Sequence, residues 1–349
     1  MSMDNLTVTV SIPTYNRCGY LKEAIESVLA QTYTDFKLLI TDNGSQDGTR
    51  ELAEDYITRD SRIIYHRFPK NQGPALNWKY CLETPNTDLI ALLLDDDLWL
   101  PEHLEYAVRA MKEIPSASLY GCAIEAFGDF PIGSISSQLP SWLAQCHERT
   151  TYNARENFVP MLMGTPLPVS SVVFRRSLLD GISLYMDDEF APGDYFLLAQ
   201  MALRGVMIFE PIVNTRYRWH AGNDCLRHAG SRASAAKSYY ALRQLSIMAM
   251  REKALTPQML VTEAANWPIA PLSTLVISLS ALDAPPSLRW AALQLFKKRC
   301  DEGDDPQARR HFRIACKTGE WYLSVADIME RAIGCFWKPK GATTLRTCQ

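Results

Sequence analysis

The chain has 349 residues, of which 47% are hydrophobic and 21% charged, a balance that indicates a folded globular protein and excludes a largely disordered one. The formal net charge of -3 argues against a dedicated nucleic-acid binder, so we expect no nucleic-acid partner. At ~150 residues per domain, this length indicates one large domain and a smaller one.

The nine cysteines are scattered and form no C-x-x-C pair, which indicates free thiols in a reducing cytoplasm. The start, MSMDNLTVTVSIP, lacks the basic and apolar parts of a signal peptide. The longest nearly uncharged apolar stretch, residues 272–282, is shorter than the roughly 20 residues that span a bilayer. We therefore expect a cytoplasmic protein without a transmembrane segment.

The first 120 residues alternate between strand and helix patterns. Strands are predicted at residues 6–12, 36–40, 62–67 and 89–94, and helices at 19–30, 49–59, 74–82 and from Pro101 onward. Residues 89–94 are apolar throughout, as in a strand that is buried on both faces. This alternation predicts an α/β fold with a mainly parallel, doubly wound sheet, in which ligands bind outside the carboxyl ends of the strands.

The second half of the chain is less regular up to about residue 192. Strands are predicted at residues 169–174 and 206–209, with a helix at 194–203 between them. From about residue 230 only helical patterns follow. We therefore expect an α/β domain at residues 1–228 and a helical region at 229–349.

Three adjacent carboxylates, Asp95, Asp96 and Asp97, directly follow the buried strand at residues 89–94. A bound divalent cation relieves their mutual repulsion, and Mg²⁺ or Mn²⁺ takes such carboxylates together with phosphate oxygens. A nucleoside diphosphate is then the natural partner. The alternative is an exposed acidic turn in which Asp97 caps the helix after Pro101.

Other polar groups follow the neighbouring predicted strands. Asp42 ends the second strand, where it can accept hydrogen bonds from a base or a ribose, whereas Asp47 suits the role of a helix cap. Residues 13–17 (PTYNR) end the first strand, and the pattern Asn71-x-Gly73-x-x-x-Asn77 precedes the fourth. Each of these signals is also typical of an ordinary strand-to-helix turn.

Together, SIPTYNR, LLITDNGSQDGT, NQGPALN and LLLDDDLWLP resemble, in their order and spacing, the family 2 glycosyltransferases with their GT-A fold. The resemblance covers residues 6–110 and 165–225. It implies inverting, metal-assisted transfer of a sugar from a nucleoside-diphosphate sugar, UDP- or dTDP-linked, to a hydroxyl of a saccharide or lipid-linked acceptor in bacterial polysaccharide synthesis. Mn²⁺ or Mg²⁺ would be the cofactor.

Carried over position by position, the resemblance implies a nucleotide site and a metal site. Nucleotide binding falls to Pro13, Thr14, Tyr15, Asn16, Arg17, Asp42, Asn43, Asn71, Gly73, Asn77, Asp95 and Asp96. The metal motif of the family usually reads Asp-any-Asp-Asp, and here Leu94 stands at the leading position. Asp96 best matches the usual ligand and Asp97 is next, while His220, in YRWH, would bind the metal or the diphosphate.

The resemblance also implies an acidic catalytic base at the start of a helix, some ninety residues after the metal motif. Asp194 in PGDYFL fits this position, although Gly193 replaces the usual Glu. Asp187, Asp188 and Glu189 stay open as other candidates, and Asp194 is alternatively only a helix cap.

Two other activities compete with the transferase hypothesis. A sugar-phosphate nucleotidyltransferase would want a glycine-rich, basic loop after the first strand, and residues 13–19 contain a single glycine. An inactive paralogue that binds a nucleotide sugar would not need the intact acidic residues.

The C-terminal helical patterns leave two roles open. Residues 286–299 and 328–340 combine apolar and aromatic side chains with lysines and arginines. Such helices bind the inner face of the cytoplasmic membrane, or they pack onto the catalytic domain or a second subunit. The loops at residues 127–168 are expected to hold the acceptor determinants.

Overall fold

A computed structural model describes residues 6–128, 143, 146–153, 167–182 and 193–223, and eight single positions between 245 and 298. The chain divides into two compact units, Met1–Ser231 and Arg232–Gln349. All elements named below lie in the first unit. The loops predicted to hold the acceptor determinants and the two basic C-terminal helices lie largely outside the described residues.

The first unit begins with strands and helices in strict alternation. The elements are β1 (Val8–Thr14), α1 (Cys18–Leu29), β2 (Phe36–Asp42), α2 (Thr49–Arg59), β3 (Ile63–Arg67), α3 (Pro74–Glu83) and β4 (Leu89–Leu92). β1 pairs in parallel with both β2 and β4, and β2 pairs in parallel with β3. All residues of β1 and β4 are buried, which suits central strands covered on both faces.

The remaining elements extend the same sheet. They are β5 (Leu98–Trp99), α4 (His103–Glu113), β6 (Ala117–Gly128), β7 (Thr150–Tyr152), β8 (Val172–Arg175), α5 (Gly193–Arg204) and β9 (Val206–Trp219). Within the described residues the strand order is β3-β2-β1-β4-β8-β6-β9-β5, and β7 also pairs with β9. β8 is antiparallel to β4 and β6, whereas β6 and β9 are parallel.

The predicted α/β fold is confirmed, with corrections to individual elements. The strand predicted at 89–94 ends at Leu92, and the one predicted at 169–174 begins with a 3₁₀ turn, Val169–Ser171. The strand predicted at 206–209 continues to Trp219 because its polar second half pairs with β6 and β5. β6 and the short strands β5 and β7 are not predicted at all. None of the helices in the described ranges is long and apolar enough to cross a membrane.

The core lies where the helices pack onto the sheet. α1 buries Leu21, Ala24, Ile25 and Val28, which are spaced as one face of a helix. The bulkiest fully buried side chains, Tyr120, Phe174 and Phe209, come from β6, β8 and β9. The added strands are therefore as much a part of the core as the parallel half, and they support the segments that follow β4 and β9.

Candidate nucleotide and metal site

The carboxyl ends of neighbouring strands bring the predicted site residues to one edge of the sheet. Thr14, at the end of β1, is paired in register with Asp42, at the end of β2. The hydroxyl of Thr14 donates a hydrogen bond of 2.7 Å to Oδ2 of Asp95, just beyond β4. Parallel pairing thus places the polar residues that follow three strands side by side, as in other sheets of this class.

Arg17 joins the first two carboxylates of the acidic triad. Its Nη1 lies 3.0 Å from Oδ1 of Asp95 and 2.8 Å from Oδ2 of Asp96. Both carboxylates are almost completely buried. Burial raises the pKa of Asp95 to about 6, with a further rise from the charge of Asp96, while Arg17 and Thr14 act in the opposite direction.

His220, which directly follows β9, donates a hydrogen bond to Asp96. Its Nε2 lies 3.0 Å from Oδ2 of Asp96, and the backbone N–H of Gly222 donates to its Nδ1 at 3.1 Å. Because Nδ1 accepts a hydrogen bond, this pattern assigns the proton of a neutral imidazole to Nε2. The ring of Tyr20 packs against the imidazole, with the ring centroids 5.0 Å apart.

Asp97 has a different set of partners and is fully buried. Its Oδ2 accepts a hydrogen bond of 2.6 Å from the hydroxyl of Ser170, and its Oδ1 accepts one of 2.9 Å from the backbone N–H of Arg218. Burial raises the pKa of Asp97 well above its ordinary value, and the charge of Asp96 adds to this rise. The structure therefore brings Asp96 and His220 together, while both oxygens of Asp97 are held by other residues.

Arg218 closes the acidic cluster on the side of β9. Its Nε donates to the backbone carbonyl of Asp96 at 2.7 Å, and its Nη2 pairs with Glu23 at 2.7 Å. The guanidinium also lies over the rings of Tyr20 and Phe127, at 4.9 and 4.4 Å from their centroids. These contacts fix the backbone of the acidic triad through a residue 122 positions later in the sequence than Asp96.

The residues of the acidic cluster fit a divalent cation that takes most of its ligands from phosphate oxygens and water. Among the residues that the structure describes, no group of three His, Cys, Asp or Glu side chains is arranged to hold a metal ion. Mg²⁺ and Mn²⁺ in nucleotide sites need only one or two protein carboxylates, since phosphate oxygens and water supply the rest. The carboxylate of Asp96 meets that requirement, whereas His220 can ligate through Nε2 only if its proton moves.

Asp42 is fully buried and anchors the loop after β2. It accepts hydrogen bonds from the N–H of Ser45 and the hydroxyl of Tyr65, both at 2.7 Å, and pairs with Nε of Arg67 at 3.2 Å. Burial and the hydrogen bond to Asp42 raise the pKa of Tyr65. The sequence does not single out Tyr65 and Arg67, although Arg67 is paired in register with Asp42 and Tyr65 lies two positions earlier on β3, opposite Ile40.

Asn43 joins the loop after β2 to the loop before α3. Its Nδ2 donates to Oδ1 of Asn71 at 3.0 Å and to the carbonyl of Gly73 at 3.1 Å, and its Oδ1 accepts from the N–H of Gln72. Asn77 donates from α3 to the carbonyl of Thr41. The predicted residues Asn43, Asn71 and Gly73 therefore form one hydrogen-bonded group, and Asn77 is joined to Thr41 in β2.

The turn after β1 presents the other predicted nucleotide-binding residues. Pro13 is buried within β1. Asn16 has a left-handed backbone with a φ of 52°, and its Oδ1 accepts from the N–H of Gln46 at 2.8 Å. The side chain of the neighbouring Tyr15 is exposed. An exposed aromatic ring at the strand ends offers a surface on which a flat base can stack.

Asp194 lies in the first turn of α5 and is partly buried. Its Oδ1 accepts the N–H of Tyr195 at 2.7 Å. Burial raises the pKa of Asp194, while this backbone hydrogen bond lowers it. The other candidates for the base, Asp187, Asp188 and Glu189, lie outside the described residues.

Ser170 is a residue that sequence analysis misses. It is fully buried in the 3₁₀ turn before β8, where its hydroxyl holds Asp97 and its carbonyl accepts from Nε1 of Trp99 at 2.7 Å. Its segment, PVSSVV, looks like an ordinary buried strand start. No pattern in the sequence points to a contact between Ser170 and the acidic triad.

Comparison with known protein families places this arrangement among sugar-transferring proteins. Residues 9–181 match the family model described as Glycosyl transferase family 2. An uncharacterized glycosyltransferase of Rickettsia felis is 41% identical over 106 residues, which are 30% of this chain and 17% of that protein. The Escherichia coli protein named UDP-Glc:alpha-D-GlcNAc-diphosphoundecaprenol beta-1,3-glucosyltransferase WfgD is 26% identical over 196 residues, 56% of this chain and 69% of that protein. Across five of the curated relatives, the match spans only 15–42% of their length.

Solved structures show the same fold. S. aureus TarS 1–349 in complex with UDP-GlcNAc matches with a TM-score of 0.63 at 14% identity, covering 90% of this chain and 92% of that one. The mannosyltransferase PcManGT from Pyrobaculum calidifontis, in complex with GDP-Man and Mn²⁺, matches with a TM-score of 0.52 at 17% identity, covering 96% and 88%. The expected GT-A fold is thereby confirmed.

Proposed function

Because the chain belongs to glycosyl transferase family 2, we propose that it transfers a sugar, with inversion, from a nucleoside-diphosphate sugar to a hydroxyl of a saccharide or lipid-linked acceptor. One observation carries this proposal: the acidic triad lies beside the ends of β1 and β2, with Thr14 bonded to Asp95 and paired in register with Asp42. UDP- and dTDP-sugars are the proposed donors. WfgD is named for UDP-Glc, and TarS was crystallised with UDP-GlcNAc.

The two joined loops form the proposed pocket for the nucleoside. The ring of Tyr15 stacks on the base, and the segment held by Asp42 and Asn43 lines the base and ribose. Because Asp42 already has three partners within the protein, its main contribution is to fix the loop, with Tyr65 and Arg67 as its supports. The pocket is therefore formed before the nucleotide arrives.

The acidic triad is proposed to form the end of the pocket at which the diphosphate binds. Asp96 would hold a divalent cation, which when bound supplies positive charge to the leaving nucleoside diphosphate. Thr14 and Arg17 hold Asp95 in place, and Ser170 and Arg218 hold Asp97. His220 orients the carboxylate of Asp96 through its Nε2 proton and remains a proposed second ligand.

Asp194 is the proposed general base. A carboxylate at this position removes the proton from the acceptor hydroxyl while the anomeric carbon loses the nucleoside diphosphate on its opposite face. A raised pKa makes the carboxylate a stronger base, which favours proton removal from a weakly acidic hydroxyl. A single displacement of this kind inverts the anomeric centre.

The 1–228 and 229–349 parts are proposed to have separate roles, with catalysis in the first. For residues 229–349 we propose peripheral contact with anionic lipid at the inner face of the cytoplasmic membrane. The exposed side chain of Trp290 supports this proposal. Sedimentation with anionic vesicles tests this contact, because the proposal requires binding that weakens with salt. Absence of binding at low salt would leave packing or self-association as the role of this region.

A donor panel tests the proposed activity. The purified protein is incubated with UDP-, dTDP- and GDP-sugars and Mn²⁺ or Mg²⁺, and release of the nucleoside diphosphate is measured. We expect metal-dependent release from a UDP- or dTDP-sugar, and loss of that release in Asp96→Asn. Formation of a nucleotide sugar and pyrophosphate from a sugar phosphate and a nucleoside triphosphate would instead identify a nucleotidyltransferase. Binding of a donor without any turnover would indicate an inactive paralogue.

A further inference from the structure

Arg17 offsets part of the negative charge of the two carboxylates closest to the proposed cation position. A single nitrogen, Nη1, contacts Oδ1 of Asp95 and Oδ2 of Asp96, and Nη2 reaches the carbonyl of Gly222 at 3.3 Å. The side chains of Asp95 and Asp96 are only 6% and 7% exposed, so water does little to stabilise their charges. A guanidinium in this position offsets the cost of burying two like charges next to each other.

A divalent cation at Asp96 competes with this arrangement. The cation and the guanidinium would share one buried carboxylate, where two positive charges repel each other strongly because little water screens them. The side chain of Arg17 is 26% exposed, so it has solvent-facing space that the two carboxylates lack. A nucleoside diphosphate offers it a new anionic partner, since the guanidinium fork matches phosphate oxygens well.

We propose that Arg17 couples cation binding to nucleotide binding. Without nucleotide it offsets one of the two negative charges of Asp95 and Asp96 and keeps the affinity for the divalent cation low. When a nucleoside diphosphate binds, Arg17 moves to the phosphate oxygens and the cation takes its place beside Asp96. By linkage, the diphosphate then tightens cation binding by the same factor by which the cation tightens diphosphate binding. This inference rests on the proposed nucleotide-sugar and metal site.

Titration of Mn²⁺ into the protein without nucleotide tests the coupling, with free Mn²⁺ followed by electron paramagnetic resonance. Arg17→Gln is expected to bind Mn²⁺ at least about fivefold more tightly than the wild type, since its loss leaves the carboxylates unneutralised. Arg17→Lys, which keeps the charge, should resemble the wild type. Asp96→Asn defines the background from other sites. Arg62→Gln is the control, because it removes an arginine just before β3 that pairs with Asp60, and it should leave Mn²⁺ binding unchanged.

The same titration with saturating UDP separates this inference from the proposed function. In the wild type UDP should tighten Mn²⁺ binding strongly, and in Arg17→Gln this gain should shrink at least about threefold. Suppose that the wild type binds Mn²⁺ in the presence of UDP, but that Arg17→Gln without UDP binds Mn²⁺ no more tightly than the wild type does. That result overturns the role of Arg17 and leaves the metal site standing. Failure of the wild type to bind Mn²⁺ even with UDP overturns both the metal site and the coupling.

Discussion

The hydroxyl of Ser170 lies 2.6 Å from Oδ2 of Asp97, so the turn before β8 holds a carboxylate that follows β4. The same hydroxyl accepts the backbone N–H of Leu94 at 3.1 Å. Ser170 thus fixes both the side chain of Asp97 and the backbone that leads into the acidic triad. The antiparallel half of the sheet in this way positions the site that the parallel half forms.

Substitution of Ser170 by Ala is expected to lower the free energy of unfolding by about 1–3 kcal/mol, because it leaves a buried carboxyl oxygen of Asp97 and the partly buried N–H of Leu94 without their partner. Urea denaturation measures this loss. Ser118→Ala is the matched control, since Ser118 is equally buried but donates one longer hydrogen bond of 3.3 Å to Val206. Equal losses in the two variants would contradict a special role for Ser170.

Asp96→Asn is expected to weaken UDP binding in Mn²⁺ by at least about tenfold and to leave binding in chelator nearly unchanged. Asp95→Asn should have a smaller effect on the metal-dependent part, because Asp95 is bonded to Thr14 and Arg17. Isothermal titration calorimetry of UDP with Mn²⁺ and with chelator gives both values. The reverse order of the two variants would move the cation to Asp95.

Asp194→Asn is expected to reduce transfer by about 10²- to 10⁴-fold, because a general base acts on the acceptor, while UDP binding changes less than about twofold. Since the base acts in its ionised form, kcat/KM of the wild type should fall on acidification through a pKa above the ordinary value of 3.8. Initial rates over pH measure both effects. Asp55→Asn, on the surface of α2, is the control. Near-normal turnover by Asp194→Asn would transfer the role to Asp187, Asp188 or Glu189.

Acid should destabilise the fold through His103. It is fully buried against Trp99, and burial lowers its pKa to about 3 from 6.5. Between these values the unfolded chain binds a proton that the folded chain excludes, so stability is lost as pH falls below about 6.5. From pH 7 to pH 5, wild type should lose about 2 kcal/mol more than His103→Gln. Urea denaturation at both pH values decides this, and parallel losses would contradict the assignment.

Gly44→Ala should disturb the contact between the two nucleotide loops. Gly44 has a φ of +80°, and a Cβ there would lie 2.7 Å from the backbone carbon of Lys70. We expect a loss of stability above about 1 kcal/mol and weaker UDP binding, because the loop must move away from Asn71. Gly19→Ala is the control, since a Cβ at that helical position meets nothing within 4 Å. An unchanged UDP affinity in Gly44→Ala would separate this contact from the pocket.

The parallel half of the fold can be predicted closely from sequence because each element carries its own periodicity. The helix predicted at residues 49–59 has those bounds in the structure, and Pro74 begins α3 as expected of a proline in a first turn. β6 cannot be predicted in this way. Its first seven residues are buried without alternation, and its second half is stabilised by pairing along the length of β9.

The contacts of the candidate site likewise divide into those that can be predicted from sequence and those that cannot. Thr14, Asp42 and Asp95 stand at strand ends, so their proximity follows from a parallel sheet. The contacts of Ser170 with Asp97 and of His220 with Asp96 depend on where the antiparallel strand β8 and the long strand β9 bring distant loops. Strand order sets these contacts, and no local pattern encodes it. The family resemblance predicts a role for His220, but nothing in it points to Ser170.

The contact of Arg17 with Gly222 joins residues that are 205 positions apart in sequence. During synthesis, the first four strands and the whole acidic triad leave the ribosome long before β9 does. Until residues 218–223 emerge, Asp96 and Asp97 lack His220 and Arg218, so the acidic cluster has only some of the partners that compensate its charge. Such distant contacts form slowly. We therefore expect completion of the site to be a late folding event. Fragments that end with the family match at residue 181 contain the acidic residues, Arg17 and Ser170, but they lack Arg218 and His220.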